Sequence, residues 1–147
     1  MEEKEKVRLL IRGTQYPVYE TAEEAQTEPV VTVQEVWAAC RERDGVWYLF
    51  YEEQPEGFPE PLKTRIKYKQ DLLEINRQGT WGHRMVFESG KAYRTAYPTP
   101  YGMLLLDIET HSVACEEREE DMPAFCIRYA LRQEGVLLGE YELYISP

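Results

Sequence analysis

Two histidines, three cysteines, a few serines and the adjacent Glu52-Glu53 are the residues of this chain with catalytic or metal-binding chemistry to offer. A zinc site needs imidazole, thiolate or carboxylate ligands that converge. His83 and His111 fall in different strand-like runs with no carboxylate at ligand spacing. His111, in the turn-like ETHSV, is expected to face solvent, and His83 to be a hydrogen-bonded core histidine. Nucleophilic catalysis pairs a hydroxyl or thiol with a base held by a third group. Ser89, Ser112 and Ser146 lie at turns or the terminus without an elbow sequence, and Cys126, between Phe125 and Ile127, reads as an inert buried thiol. Glycoside chemistry needs two carboxylates facing each other across a cleft. Glu35, Glu52 and Glu53 supply carboxylates, but neighbours on a strand point to opposite faces, so Glu52 and Glu53 do not pair. One of them is expected to meet an arginine such as Arg65 or Arg77 at the rim of the fold. The expectation is a non-catalytic protein with no metal and no cofactor.

Binding chemistry is narrowed by charge. Twenty-seven acidic residues against seventeen basic ones give a net charge of −10, which repels phosphate backbones unless cations gather on one face. LKTRIKYK, residues 62 to 69, does gather Lys63, Arg65, Lys67 and Lys69 on one strand face, opposite Leu62, Thr64, Ile66 and Tyr68. It is a single strand, read as a solvated face that discourages edge pairing, so no nucleic-acid partner is expected. The acidic run Glu116-Glu117-Arg118-Glu119-Glu120-Asp121 lacks the turn glycine of a calcium loop and reads as a solvated hairpin loop. Cys40, Cys115 and Cys126 form no C-x-x-C, and reduced thiols in a cytoplasmic protein are the default. Cys115 and Cys126 flank the acidic loop, and the sequence leaves a disulfide between them open. MEEKEKVRLL does not resemble a signal peptide, and no apolar run approaches the ~20 residues of a membrane helix.

The elements that must position these residues are strands. At 147 residues the chain has the size of one domain, 1–147, able to bury roughly 70% of its unfolded surface. Runs rich in Val, Ile, Tyr, Trp and Thr recur between turn signals, near 6–14, 29–43, 46–53, 61–69, 71–77, 81–87, 91–97, 102–109, 111–117, 123–132 and 136–145. TAEEAQTE, within residues 20–28, reads as a short helix or loop before Pro29. Arg43-Asp44-Gly45, Glu88-Ser89-Gly90 and Gln133-Glu134-Gly135 each end in glycine, as a three-residue hairpin loop requires. With such a loop, Leu131 faces Leu137, Ile127 faces Tyr141 and Phe125 faces Leu143, and Tyr129 shares their apolar face. The same rule at Gly90 pairs Phe87 with Lys91, Met85 with Tyr93, His83 with Thr95 and Trp81 with Tyr97. In YPTPYG, Pro98 and Pro100 are expected to stop the strand at Tyr97, with Tyr97 and Tyr101 at a corner beside Gly102. Such a meander of hairpins predicts an all-β, closed antiparallel up-and-down barrel in preference to a sandwich.

Several positions resemble a family of small bacterial proteins, the YwiB-like proteins, a domain of unknown function assigned a calycin-like β-barrel. They are Tyr51-Glu52-Glu53, Ile75, Arg77 and Gly79 in EINRQG, Met85-Val86-Phe87 with Gly90, Tyr97 to Gly102, Thr110 and Tyr129. The resemblance implies a barrel of lipocalin-like shape, a shape whose interior often holds an apolar small molecule. From the residues themselves, Trp81, His83, Met85, Phe87, Tyr93, Tyr97, Tyr101, Tyr129 and Tyr141 form the candidate ligand-binding set. In it an apolar lining supplies affinity, and phenols and the imidazole orient a polar head. The competing expectation is a barrel plugged by its own side chains that serves as a protein-interaction module.

Overall fold

The computed structural model describes residues 6–18, 28–54, 60–79, 81–118 and 122–147. All regular structure among them is strand: β1 (Lys6–Tyr16), β2 (Val30–Arg43), β3 (Val46–Glu53), β4 (Leu62–Lys69), β5 (Leu72–Gln78), β6 (His83–Glu88), β7 (Ala92–Thr99), β8 (Gly102–Glu116), β9 (Ala124–Gln133) and β10 (Val136–Ser146). The short helix or loop expected over 20–28 lies, but for Glu28, outside the described residues, as do Glu119 to Asp121 of the acidic run. No described helix is long and apolar enough to cross a membrane.

The strands form one antiparallel sheet in the order β6-β5-β4-β3-β2-β1-β10-β9-β8-β7. This is the expected meander curled into a nearly closed barrel, with one difference of principle. The terminal strands β1 and β10 ladder together from Leu10↔Ser146 to Tyr16↔Glu140. The two margins of the sheet are β6 and β7, joined directly through Ser89-Gly90. The hairpin expected there does not ladder, so the pairings of Met85 with Tyr93 and His83 with Thr95 are replaced. β6 pairs with β5, Met85 opposite Ile75, and β7 pairs with β8, Tyr93 opposite Ile108. The turn docks elsewhere: Gly90 N–H donates to the Thr110 carbonyl at 2.9 Å and Ser89 N–H to that of Asp71 at 3.2 Å.

Three further expectations are corrected by register. Glu134-Gly135 is a two-residue turn with positive φ at both positions, 50° and 81°, the geometry whose twist matches that of the flanking strands. Asp44-Gly45 repeats it at 52° and 80°. A two-residue turn alone would set Tyr129 against Glu140. A bulge between Leu137 and Gly139 restores the apolar match, giving Tyr141↔Tyr129, Leu143↔Ile127 and Ile145↔Phe125. The runs 102–109 and 111–117 are one strand, β8, with an irregularity between Thr110 and Ser112, so His111 sits within a strand and not in a turn. Finally, β7 runs past Tyr97, with Pro98 opposite Met103 and Thr99 opposite Gly102. Proline is tolerated because β7 is a margin strand with one side that needs no donor.

Alternation fills the interior. Phe87, Phe125, Leu9, Leu49, Ile66, Leu73, Ile108, Ile127 and Ile145 are the largest fully buried side chains and belong to one cluster that also takes in Val36, Tyr51, Ile75, Val113 and Met122. The middle of the barrel is therefore packed, in the manner of small barrels whose strands supply enough large side chains to meet at the axis.

Candidate functional site

One end of the barrel gathers polar groups against that packed centre. Inward positions alternate along β3 as Leu49, Tyr51 and Glu53, and the ladder carries Tyr51 opposite Thr64 and Thr64 opposite Arg77. Arg77 in turn pairs with His83 at the start of β6. An arginine at an inward position must find partners, and this one does. Its Nε lies 3.7 Å from Glu53 Oε2 in an ion pair whose carboxylate side chain is 10% exposed. Its Nη1 donates to His83 Nε2 at 3.1 Å. That contact puts the imidazole proton on Nδ1, which faces the Trp81 carbonyl at 3.4 Å. Glu53 is thus the carboxylate that meets an arginine, and Arg77 is its partner.

The electrostatics follow from burial and from this cation. Burial, then the Arg77 charge, lower the His83 pKa below its ordinary 6.5, so the ring is neutral and accepts from Arg77. Tyr51, 6% exposed, has its phenol pushed well above the ordinary range by burial and by the Glu53 charge, against an opposing pull from Arg77. Burial and the neighbouring Tyr141 push Tyr129 up to about 12, again opposed by Arg77. None of these phenols ionises near neutrality. The group offers hydrogen bonds and one guanidinium.

These residues border a cavity of about 260 Å³ at the mouth of the barrel, lined by Glu53, Leu62, Arg77, Trp81, His83, Tyr97 and Pro98. The imidazole of His83 packs on the Tyr97 ring with centroids 4.5 Å apart. The turn before β6 is held by Gly82 N–H donating to the Gly79 carbonyl at 3.0 Å. A side chain on Gly82 would collide with the Arg77 carbonyl, so the close passage that aims His83 at Arg77 requires glycine.

The nine residues proposed from sequence divide into four groups. Trp81, His83 and Tyr97 meet at the mouth. Met85 and Phe87 belong to the packed interior, where Phe87 abuts Tyr129 at 4.8 Å and Tyr129 stacks on Tyr141 at 5.3 Å. Tyr93 turns its hydroxyl to Glu88 at 2.6 Å beside the Ser89-Gly90 turn. Tyr101 is 99% exposed at the tip of the β7–β8 hairpin, where Thr99 Oγ1 donates to the Gly102 carbonyl at 2.6 Å and takes a bond from Tyr101 N–H at 3.2 Å. The candidate set had no place for Leu62, Pro98 or the Arg77–Glu53 pair. The legible signal for the pair was a charged residue at an inward strand position, once on β3 and once on β5.

Other candidates resolve plainly. His111 is surface-exposed and bonded to Glu140 at 2.8 Å. Among the described residues no group of three or more His, Cys, Asp or Glu side chains is arranged to hold a metal ion. Ala114 faces Cys126 while Cys115 faces Phe125, so the two cysteines project to opposite faces and all three thiols are free.

Among solved structures the chain is similar to the crystal structure of ywiB protein from Bacillus subtilis, with a TM-score of 0.64 and 16% identity over 96% of this chain and 92% of that one. At that identity the likeness concerns the fold. No curated protein matches the chain. The model of a domain of unknown function, DUF1934, matches residues 18–145.

Proposed function

The chain belongs to the DUF1934 family, a domain of unknown function, and we propose that its barrel binds a small amphipathic molecule at the mouth, without catalysis. The observation that carries this reading is the Arg77–His83–Glu53 network opening onto a cavity lined by Trp81, Tyr97, Leu62 and Pro98. The rings and Leu62 supply apolar contact. The guanidinium has five donors, of which Nη1 meets His83 while Nε faces the Glu53 carboxylate, and it orients a polar head. The packed centre moves the guest from the axis to the mouth. At about 260 Å³ the space suits a fragment-sized molecule, below the ~300 Å³ at which drug-sized sites begin. An extended fatty acyl chain does not fit this reading.

The test uses anilinonaphthalenesulfonate, an amphipathic fluorophore whose sulfonate accepts from a guanidinium and whose rings brighten in apolar surroundings. Saturable one-to-one binding by the wild type, weakened about tenfold or more by Arg77→Gln and by Tyr97→Ala with folding intact, supports the reading. Absence of saturable binding, or equal binding by all three proteins, removes it.

A further inference from the structure

A larger concavity lies on the outer face, and its shape follows from a divergence of ladders. β2 pairs with β1 from Ala39 through Val30, but with β3 only from Ala39↔Phe50 to Arg43↔Val46. β3 continues alongside β4 through Tyr51, Glu52 and Glu53. Among the described residues, β2 from 30 to 38 therefore has a ladder on one side only. The two strands splay apart around a groove of about 800 Å³ that reaches inward as far as Val36, Tyr51 and Thr64.

An open strand edge is a row of alternating N–H and C=O groups, complementary to another extended backbone more than to any small molecule. Natural sheets protect such edges with charge, proline or bulges. Here the edge strand reads VVTVQEVW, with Val31, Val33 and Trp37 on its outer face at 53%, 59% and 63% exposed. Lys6, Lys63 and Arg65 line the groove, none of them in a described ion pair, together with Glu35 and Glu52. On a chain of net charge −10, three cations against two carboxylates give this groove a local excess of positive charge.

We propose that this groove receives an extended, acidic segment of a partner protein, which adds to β2 as an antiparallel or parallel strand over residues 30–38. Backbone bonds to the β2 edge supply register, Lys6, Lys63 and Arg65 select acidic side chains on the outer face, and the alternate apolar side chains turn inward toward Val36 and Tyr51. A second copy of this chain is the poorer occupant, because it would bring together two bodies that each carry −10. The inference goes beyond the mouth reading and stands independently of it.

The probe is a capped peptide of roughly eight residues, the length of an ordinary strand, alternating valine with glutamate. Calorimetry gives affinity, and hydrogen exchange with mass spectrometry locates the site. One-to-one binding that slows exchange within residues 30–38, and is about tenfold weaker for the Lys63→Glu, Arg65→Glu double variant, is the expected result. The same peptide N-methylated at every residue keeps its charge and loses the N–H donors of both edges, so equal binding by it overturns strand addition without any need for a variant. Equal or tighter binding of a lysine-for-glutamate peptide overturns the acidic assignment. No saturable binding overturns the whole proposal, as does a concentration-dependent dimer abolished by Val33→Lys, which would give the edge to a second copy. An unchanged urea midpoint and m-value for the double variant confirm that the barrel is intact.

Discussion

The Thr95 hydroxyl donates to the Arg84 carbonyl at 2.5 Å, across the margin where β6 and β7 meet without a ladder. Thr95 is 5% exposed and Arg84 points its guanidinium outward to Glu74. This side-chain bond, together with the one from the Tyr93 hydroxyl to Glu88, stands where backbone bonds would close the barrel. Thr95→Val is expected to lower the unfolding free energy by about 1 kcal/mol in urea titrations, the usual net value of one such bond. Hydrogen exchange should quicken in β6 and β7 before it does elsewhere. A stability equal to wild type with unchanged exchange would show that the margin is held by packing alone.

Thr64 and Thr110 make the opposite case. Their hydroxyls are buried, at 2% and 3% residue exposure, and neither has a hydrogen-bond partner among the described residues. An unsatisfied buried hydroxyl costs about 1–3 kcal/mol, and valine has the same shape without that group. Thr64→Val is expected to raise the melting temperature and the urea midpoint, with the m-value unchanged. A lower midpoint would mean that the hydroxyl is satisfied in solution.

The lowered pKa of His83 has a defined sign. The unfolded histidine titrates near its ordinary 6.5 and the folded one below it, so the unfolded state binds more protons between the two values. The stability contribution is complete above about pH 6.5 and is lost as the pH falls toward the folded pKa. Burial and the Arg77 guanidinium cause the shift, and the Trp81 carbonyl opposes it. Subtracting the stability profile of His83→Gln from that of the wild type between about pH 5 and pH 8 isolates this component. A flat difference would contradict the buried neutral imidazole.

Thiol chemistry supplies a further check. Burial pushes the Cys40 thiol up to about 11, and its Sγ lies 3.5 Å from Met122 Sδ. The Cys115 and Cys126 thiols are raised as well, by burial first. The folded protein should react slowly with thiol reagents and label fully in denaturant. Oxidation should form no Cys115–Cys126 bridge, as intact mass after alkylation will register. A prompt loss of two thiols in the folded state would require a different β8–β9 register.

Much of this architecture was legible because a strand's alternation is a local property. Phe125, Ile127 and Tyr129 share an inward face whatever their partners, and glycine at 45, 90 and 135 marks turns through positive φ, 80°, 77° and 81°. Register was less legible. The bulge after Leu137 is written in no turn residue; it arises because Tyr141 and Leu143 gain more from meeting Tyr129 and Ile127 than an unbroken ladder would provide.

By itself, then, the sequence determined the all-β class, the inward and outward sets and the turn positions, since each depends on a few neighbouring residues. Three features belong to the tertiary structure alone: the margin between β6 and β7, the joining of His83 to the Glu53–Arg77 pair, and the splay of β2 from β3. Each is set by which distant strands become neighbours when ten of them share one packed interior, and side chains far apart in the chain meet only after that closure.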